Sequence, residues 1–239
     1  MNIPTVSSLQ RAVACEASVV LEQLPPEPSV AAAKRGSLLG AWAAASLRGW
    51  DMPDLGRYKI NWSIDELRKR LPAGDIKCEA AFSYSGEAAE YLGENLGRSY
   101  GRPGTICGAA DILVVREGQG FVFDLKSGKR PVPDAKSNWQ LAALAMMASL
   151  AFGFDDVTAA IVKFGANGEW DFGEPYTWDA GELDVIRKRL DAEWRRWKEA
   201  SSLADAGFDV DRVTGEHCYY CAARCENGGV YQRAQKQAA

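Results

Sequence analysis

The sequence has no apolar run approaching the length of a bilayer-crossing helix, which takes about 20 residues. Its opening stretch, MNIPTVSSLQRAVACEASVV, lacks the charged region followed by an apolar core that marks a secretory signal. Positive charge is not in excess: 28 Lys and Arg against 32 Asp and Glu give a formal net charge of −4. That balance excludes a general affinity for polyanions, so any contact with nucleic acid has to come from a local basic groove. Internal repeats and low-complexity tracts are missing, and there is a single histidine, His217. These absences predict a chain with no membrane segment in a cytoplasmic setting. There, six cysteines point to metal ligation rather than to disulfides.

What is present reads as one domain. A chain of 239 residues, 47% of them hydrophobic, supports a full core with insertions. Helical spacing predicts helices over residues 5–23, about 28–48 and 64–71. Lys77 to Ser85 alternates as a strand and carries Glu79, and Glu87 to Leu96 fits helix or loop. Two apolar runs, 112–115 and 121–123, predict a hairpin, and Asp134 introduces a helix reaching about residue 151. Asp156 to Phe164 reads as a buried strand and the stretch to Trp178 as an edge strand. Residues 181–201 read as an amphipathic helix with Trp194 and Trp197. Strand, hairpin, helix and strand in that order predict an α/β layer arrangement.

The hairpin, GAADILVVREGQGFVFDLKSGKR (108–130), carries an aspartate in each strand and a lysine two residues after the second. If Glu117 pairs with Gly120, Asp111 falls opposite Lys126 and diagonal to Asp124, all three on one face. Two carboxylates a few ångströms apart repel by about 4 kcal/mol at an intermediate dielectric. Burying them together raises one pKa sharply. A hard divalent cation such as Mg²⁺ removes the conflict, and a lysine beside it can orient an attacking water or offset phosphate charge. The plainer alternative is an ordinary Asp124–Lys126 ion pair.

A second constellation, EHCYYCAARCENGG, places Cys218, Cys221 and Cys225 so that three thiolates converge on one centre. A fourth ligand is needed. Cys15, after a helical turn in an alanine-valine segment, is one candidate, and His217 is the other. Such a set suits Zn²⁺ or an iron–sulfur cluster equally. Cys78 and Cys107 sit in or beside strands and read as buried structural thiols.

Taken together, these stretches resemble the RecB-like branch of the PD-(D/E)xK nucleases, in particular its iron–sulfur members of the Cas4, AddB and phage-exonuclease type. SLQRAVACEASVVLEQL is similar to that branch's cysteine-bearing opening motif, with Cys15 at the cysteine and Glu16 where proline is usual. CEAAFSYS resembles its early acidic strand (Glu79), GAAD its G-x-x-D motif (Asp111), and DLK its D/E-x-K motif (Asp124, Lys126). NWQLAALA resembles its Q-x-x-x-Y helix through Gln140, and HCYYCAARC its three-cysteine end. Gly40 stands where the branch often has a histidine, and Leu144 where it has the tyrosine.

The resemblance implies a restriction-endonuclease-like mixed sheet core flanked by helices. An N-terminal helical segment (1–72, with Cys15) and a C-terminal helix and cysteine segment (179–239) are joined by a metal cluster around a catalytic core (73–178). It implies an exonuclease acting on single-stranded DNA or DNA ends. Mg²⁺ or Mn²⁺ would be held by Glu79, Asp111, Asp124 and the Leu125 carbonyl, with Lys126 and Gln140 completing the site. Lys129, Arg130, Lys136 and Trp139 would meet DNA. Cys15, Cys218, Cys221 and Cys225 would hold a 4Fe–4S cluster, with Zn²⁺ as the alternative. Recombination, repair or CRISPR adaptation proteins are the implied partners, and oligomers are compatible with it. The alternative is a catalytically weak DNA-binding or assembly subunit, motivated by Gly40 and Leu144.

Overall fold

The computed structural model describes residues 4–21, 31–56, 58–97, 100–128, 131–165, 168–221, 223 and 225. Seven strands form one mixed sheet: β1 (Asp75–Tyr84), β2 (Ala89–Gly93), β3 (Ile106–Arg116), β4 (Gln119–Lys126), β5 (Asp156–Phe164), β6 (Trp170–Phe172) and β7 (Tyr176–Asp179). The spatial order is β2-β1-β3-β4-β5-β6, with β7 also pairing β5. Every pairing is antiparallel except β4 with β5. A parallel pair needs a crossover, and α5 (Trp139–Phe152) supplies it.

Helices cover both faces. On one face lie α5 and α6 (Ala180–Asp205), together with α1 (Leu9–Ala14) and α2 (Ala17–Val20). On the other lie α3 (Ala31–Arg48) and α4 (Ile64–Arg70). The sequence of α5, WQLAALAMMASLAF, is apolar almost all round, and Leu141 to Ala148 are buried without interruption. A helix of that composition is stable only when enclosed. Asn138 caps it by accepting from the Gln140 and Leu141 amides, and Gly153 ends it at φ 73°. The start of α6 is fixed by a capping box between Asp179 and Glu182.

Several elements differ from the sequence reading. The predicted 5–23 helix is a 3-10 turn (Val6–Ser8), then α1, then a break at Cys15 (φ −153°, ψ 113°) before α2. The break has a tertiary cause. Trp197 Nε1 donates to the Ala12 carbonyl (3.2 Å) and Arg196 Nη2 to the Val13 carbonyl (3.1 Å). These are acceptors that a continuous helix would use for its own amides. The 87–96 stretch contains β2, and the expected edge strand is two short strands, β6 and β7. The hairpin register is also shifted by two residues: Arg116 pairs with Gln119 and Val115 with Gly120. Gly118 takes φ 71° in the two-residue turn, so the hairpin closes earlier than a Glu117–Gly120 pairing. A shift of two preserves which face each side chain occupies.

Gly108 on β3 is where the first residues seat on the sheet, since a Cβ there would overlap the Val6 side chain. Gly108→Ala is expected to lower stability by about 1–3 kcal/mol. The checks are denaturant unfolding and limited proteolysis, with faster cleavage before residue 21 than in the parent protein.

Candidate active site

The sheet brings three acids into one row. The β3–β4 ladder runs to Ile112 opposite Phe123, and one further step sets Asp111 beside Asp124. Across the other edge of β3, the pairs Cys78–Ile112 and Ala80–Ala110 bracket Glu79 and Asp111. Glu79, Asp111 and Asp124 therefore occupy corresponding places on three adjacent strands. The sequence register had set Lys126, rather than Asp124, opposite Asp111.

Both β1 and β3 turn over at that level. Cys78 and Ile112 pack with α3 and α4, whereas Ala80 and Ala110 pack with α5 on the opposite face. Regular alternation would keep residues two apart on the same face. Glu79 makes the change with φ 50°, in the left-handed region, at a cost of about 1–3 kcal/mol. Glu94 braces the strand just before it, accepting from the Cys78 amide (2.8 Å) while paired to Arg48 (3.0 Å). Sequence reasoning missed Glu94, because nothing local showed that β2 would lie beside β1.

The acids open into a cavity of about 600 Å³, bounded on its far side by Gly36, Gly40 and Ala44 of α3 and by Asn95 and Tyr100. A Cβ at Gly40 would meet nothing within 4 Å, and one at Gly36 would come to 2.9 Å from Ser127 Oγ. Asp124 is 3% exposed and Lys126 31%, with Nζ 2.7 Å from Asp124 Oδ2 and 2.8 Å from Oδ1. Gln140, in the first turn of α5, donates to Asp124 Oδ1 (2.9 Å), and its Oε1 lies 3.5 Å from Lys126 Nζ. The Leu125 amide donates to Asp111 Oδ2 at 2.5 Å. Five of the expected site residues thus meet in one network, with Glu79 beside it in the cavity wall.

The electrostatics of this row are unfavourable as it stands. Burial, then the Asp124 and Glu79 charges, push the Asp111 carboxyl up to about 8. Burial also raises Asp124, opposed by Lys126, and raises Glu79. Asp124 Oδ2 contacts Lys126 but makes no aligned hydrogen bond. Raised carboxyls and an under-used buried oxygen are what a hard divalent cation would relieve, so the donor set fits one. Among the described residues, no three Asp, Glu, His or Cys side chains already converge as a ligand shell. Asp111 Oδ2 is instead taken by the Leu125 amide, and Asp124 Oδ1 by Lys126 and Gln140.

The remaining candidates lie elsewhere. Lys136 is exposed, and Trp139 lines a separate cavity with it. Lys129 and Arg130 lie outside the described residues. Cys15 and Cys221 are buried, and α1 lies against the 3-10 turn Glu216–Tyr220. Burial pushes the Cys221 thiol up, with smaller upward effects from Cys225 and Cys15, which places those thiols within electrostatic reach. Cys218 Sγ lies 3.7 Å from the Val213 carbonyl, and His217 Nε2 is 2.8 Å from the same oxygen. Cys78 and Cys107 are buried in β1 and β3.

Acids gathered on neighbouring strands, with a lysine two residues past one of them, are chemically suited to metal-assisted hydrolysis. The family model of the PD-(D/E)XK nuclease superfamily matches residues 5–225, and the chain belongs to that superfamily. Its members are generally phosphodiester hydrolases and typically use Mg²⁺ or Mn²⁺. No curated protein matches the chain. A solved structure described as "Crystal structure of SSO0001" is similar at 13% identity and a TM-score of 0.33, over 64% of this chain and 60% of that one. This chain thus spans less than two thirds of that protein, and a likeness so distant carries no argument. Among the described residues, no helix is long and apolar enough to cross a membrane.

The row predicts a measurable pH effect. A carboxyl raised in the folded state ionises earlier in the unfolded chain, so metal-free stability falls as pH rises from about 4 toward about 8. In chelator at pH 8, Asp111→Asn should therefore melt above the parent protein, by about 2–4 °C for each kcal/mol of relief. Mg²⁺ or Mn²⁺ should raise the melting temperature of the parent more than that of the variant. Equal metal shifts in both would remove Asp111 from the cation site.

Proposed function

We propose that the protein is a metal-dependent exonuclease acting on single-stranded DNA or DNA ends. The observation that carries this reading is the row of Glu79, Asp111 and Asp124 beside Lys126 and Gln140. Glu79, Asp111, Asp124 and the Leu125 carbonyl would hold Mg²⁺ or Mn²⁺. Such a cation supplies charge for the non-bridging phosphate oxygens and lowers the pKa of a bound water. Hydrolysis adds a water to phosphorus and breaks a P–O bond, with one proton of the water ending on the leaving oxygen. Lys126 orients the water and offsets charge gathering on the phosphate. Gln140 donates to the same Asp124 oxygen that Lys126 contacts and sets its own Oε1 beside Nζ, which holds Lys126 in place. The cavity, lined by α3 and by Asn95 and Tyr100 besides the acids, encloses about 600 Å³, which suits a single strand better than a duplex.

We further read Cys15, Cys218, Cys221 and Cys225 as ligands of a 4Fe–4S cluster, with zinc as the alternative. The support is the placement of α1 against the Glu216–Tyr220 turn and the upward effect of Cys225 and Cys15 on the Cys221 thiol, secondary to burial. Trp197 and Arg196 already tie Ala12 and Val13 to α6, so a cluster would lock an existing contact. By loop-closure entropy alone, a link across some 200 residues contributes about 5 kcal/mol at most. Its role is therefore a structural clasp. A second reading, a DNA-binding subunit with weak turnover, draws on two observations. Gly40 leaves the cavity wall bare, and Leu144 is wholly enclosed and cannot meet substrate.

The deciding measurement is cleavage of labelled single-stranded DNA in Mn²⁺ or Mg²⁺. Asp124→Ala and Lys126→Ala should each reduce it at least about a hundredfold while circular dichroism stays unchanged. A parent protein that binds DNA but does not turn over would favour the second reading. For the clasp, the purified protein should be brown, with broad absorbance from thiolate-ligated iron. Cys15→Ala and Cys221→Ala should bleach it, whereas Cys78→Ala and Cys107→Ala should not. If His217→Ala loses the metal and Cys15→Ala keeps it, the site is a local zinc loop.

A further inference from the structure

A second cavity, of about 470 Å³, opens between the first turn of α5 and the start of α6. Trp139, Tyr176 and Trp178 supply aromatic rings to its wall, the last two 5.1 Å apart in an edge arrangement. Two cations sit over these rings: Lys136 Nζ is 4.9 Å from the Tyr176 centroid, and the Arg189 guanidinium is 5.1 Å from that of Trp139. Among the described residues, neither cation meets a carboxylate. The two acids in the same wall are already engaged. Asp179 and Glu182 cap each other's amides, and the Tyr176 hydroxyl donates to Glu182 (2.6 Å).

The cavity adjoins the catalytic one through the chain itself. Trp139 and Gln140 are consecutive, about 3.8 Å apart at Cα. Yet Gln140 reaches Asp124, while Trp139 faces the other cavity. A strand leaving the acids over the end of α5 would therefore meet these rings at once. Aromatic rings stack on any base, and a planar guanidinium held over a ring stays charged and free to turn to a phosphate. A chain with net charge −4 needs such local cations to hold DNA at all.

We propose that this cavity takes an unpaired nucleotide of the DNA strand whose backbone lies in the catalytic cleft. The base stacks against Trp139 and Tyr176, and Arg189 and Lys136 meet the flanking phosphates. The site rests on the nuclease reading for its strand, and it makes single-stranded DNA the preferred substrate.

The test is fluorescence anisotropy with a labelled oligothymidine and the full chain in chelator, where no cleavage interferes. Trp139→Ala should weaken binding by about tenfold or more, the loss of one stacked base, and Trp139→Phe should restore most of it. Arg189→Ala should weaken binding and flatten the slope of log affinity against log salt by about 0.7, the loss of one phosphate contact on a single strand. Lys198→Ala, farther along α6, serves as the control and should leave both quantities unchanged. Photo-crosslinking with iododeoxyuridine should mark the Trp139 or Tyr176 peptide. Unchanged affinity in folded Trp139→Ala and Arg189→Ala would overturn the inference even if the parent protein cleaves DNA. Weakened binding in a protein that never cleaves would sink the nuclease reading and leave this site standing.

Discussion

Everything in this chain is arranged around a conflict between like charges on adjacent strands. Asp111, half-buried, and Asp124, buried, stand side by side, and Glu79 stands on the far side of Asp111. A sheet does not place carboxylates so without outside restraint. The restraint comes from both faces: α5 presents Gln140 to Asp124, and Glu94 with Arg48 holds β1 just below Glu79. The left-handed backbone at Glu79 is a local cost that the two flanking cores can absorb. Stability and function pull in opposite directions at this row, as they do at many catalytic centres.

The catalytic hairpin was largely legible because its information is local. Period-two alternation put Asp111, Asp124 and Lys126 on one face, and the two-residue error in register left that conclusion intact. What local pattern could not supply was the partner across the hairpin. The turn type depended on Gly118 taking a left-handed conformation, which two glycines in four residues leave open. Gln140 and Glu79 were placed by resemblance rather than by their own neighbourhood. Their contacts join β4 to α5 and β3 to β1, which period and propensity do not encode.

The misses share a cause. The turnover of β1 and β3 at Glu79 and Asp111 is a property of two strands kinking together, so neither sequence shows it alone. The break at Cys15 was hidden because residues 5–23 have good helical spacing. It arises only when Trp197 and Arg196 take the carbonyls of Ala12 and Val13. β2 was unreadable because its strand character is conferred by β1. In each case tertiary contacts override local preference.

The capture of those carbonyls also sets an order of events during synthesis. Ala12 and Trp197 are 185 positions apart. At about 5–20 residues per second, some 10–40 s separate their emergence from the ribosome. Throughout that interval the carbonyls of Ala12 and Val13 lack the α6 donors that take them in the folded protein. Until α6 emerges, nothing opposes the continuous helix that the spacing of residues 5–23 favours. The break at Cys15 is therefore a late feature of folding, set by an element far downstream.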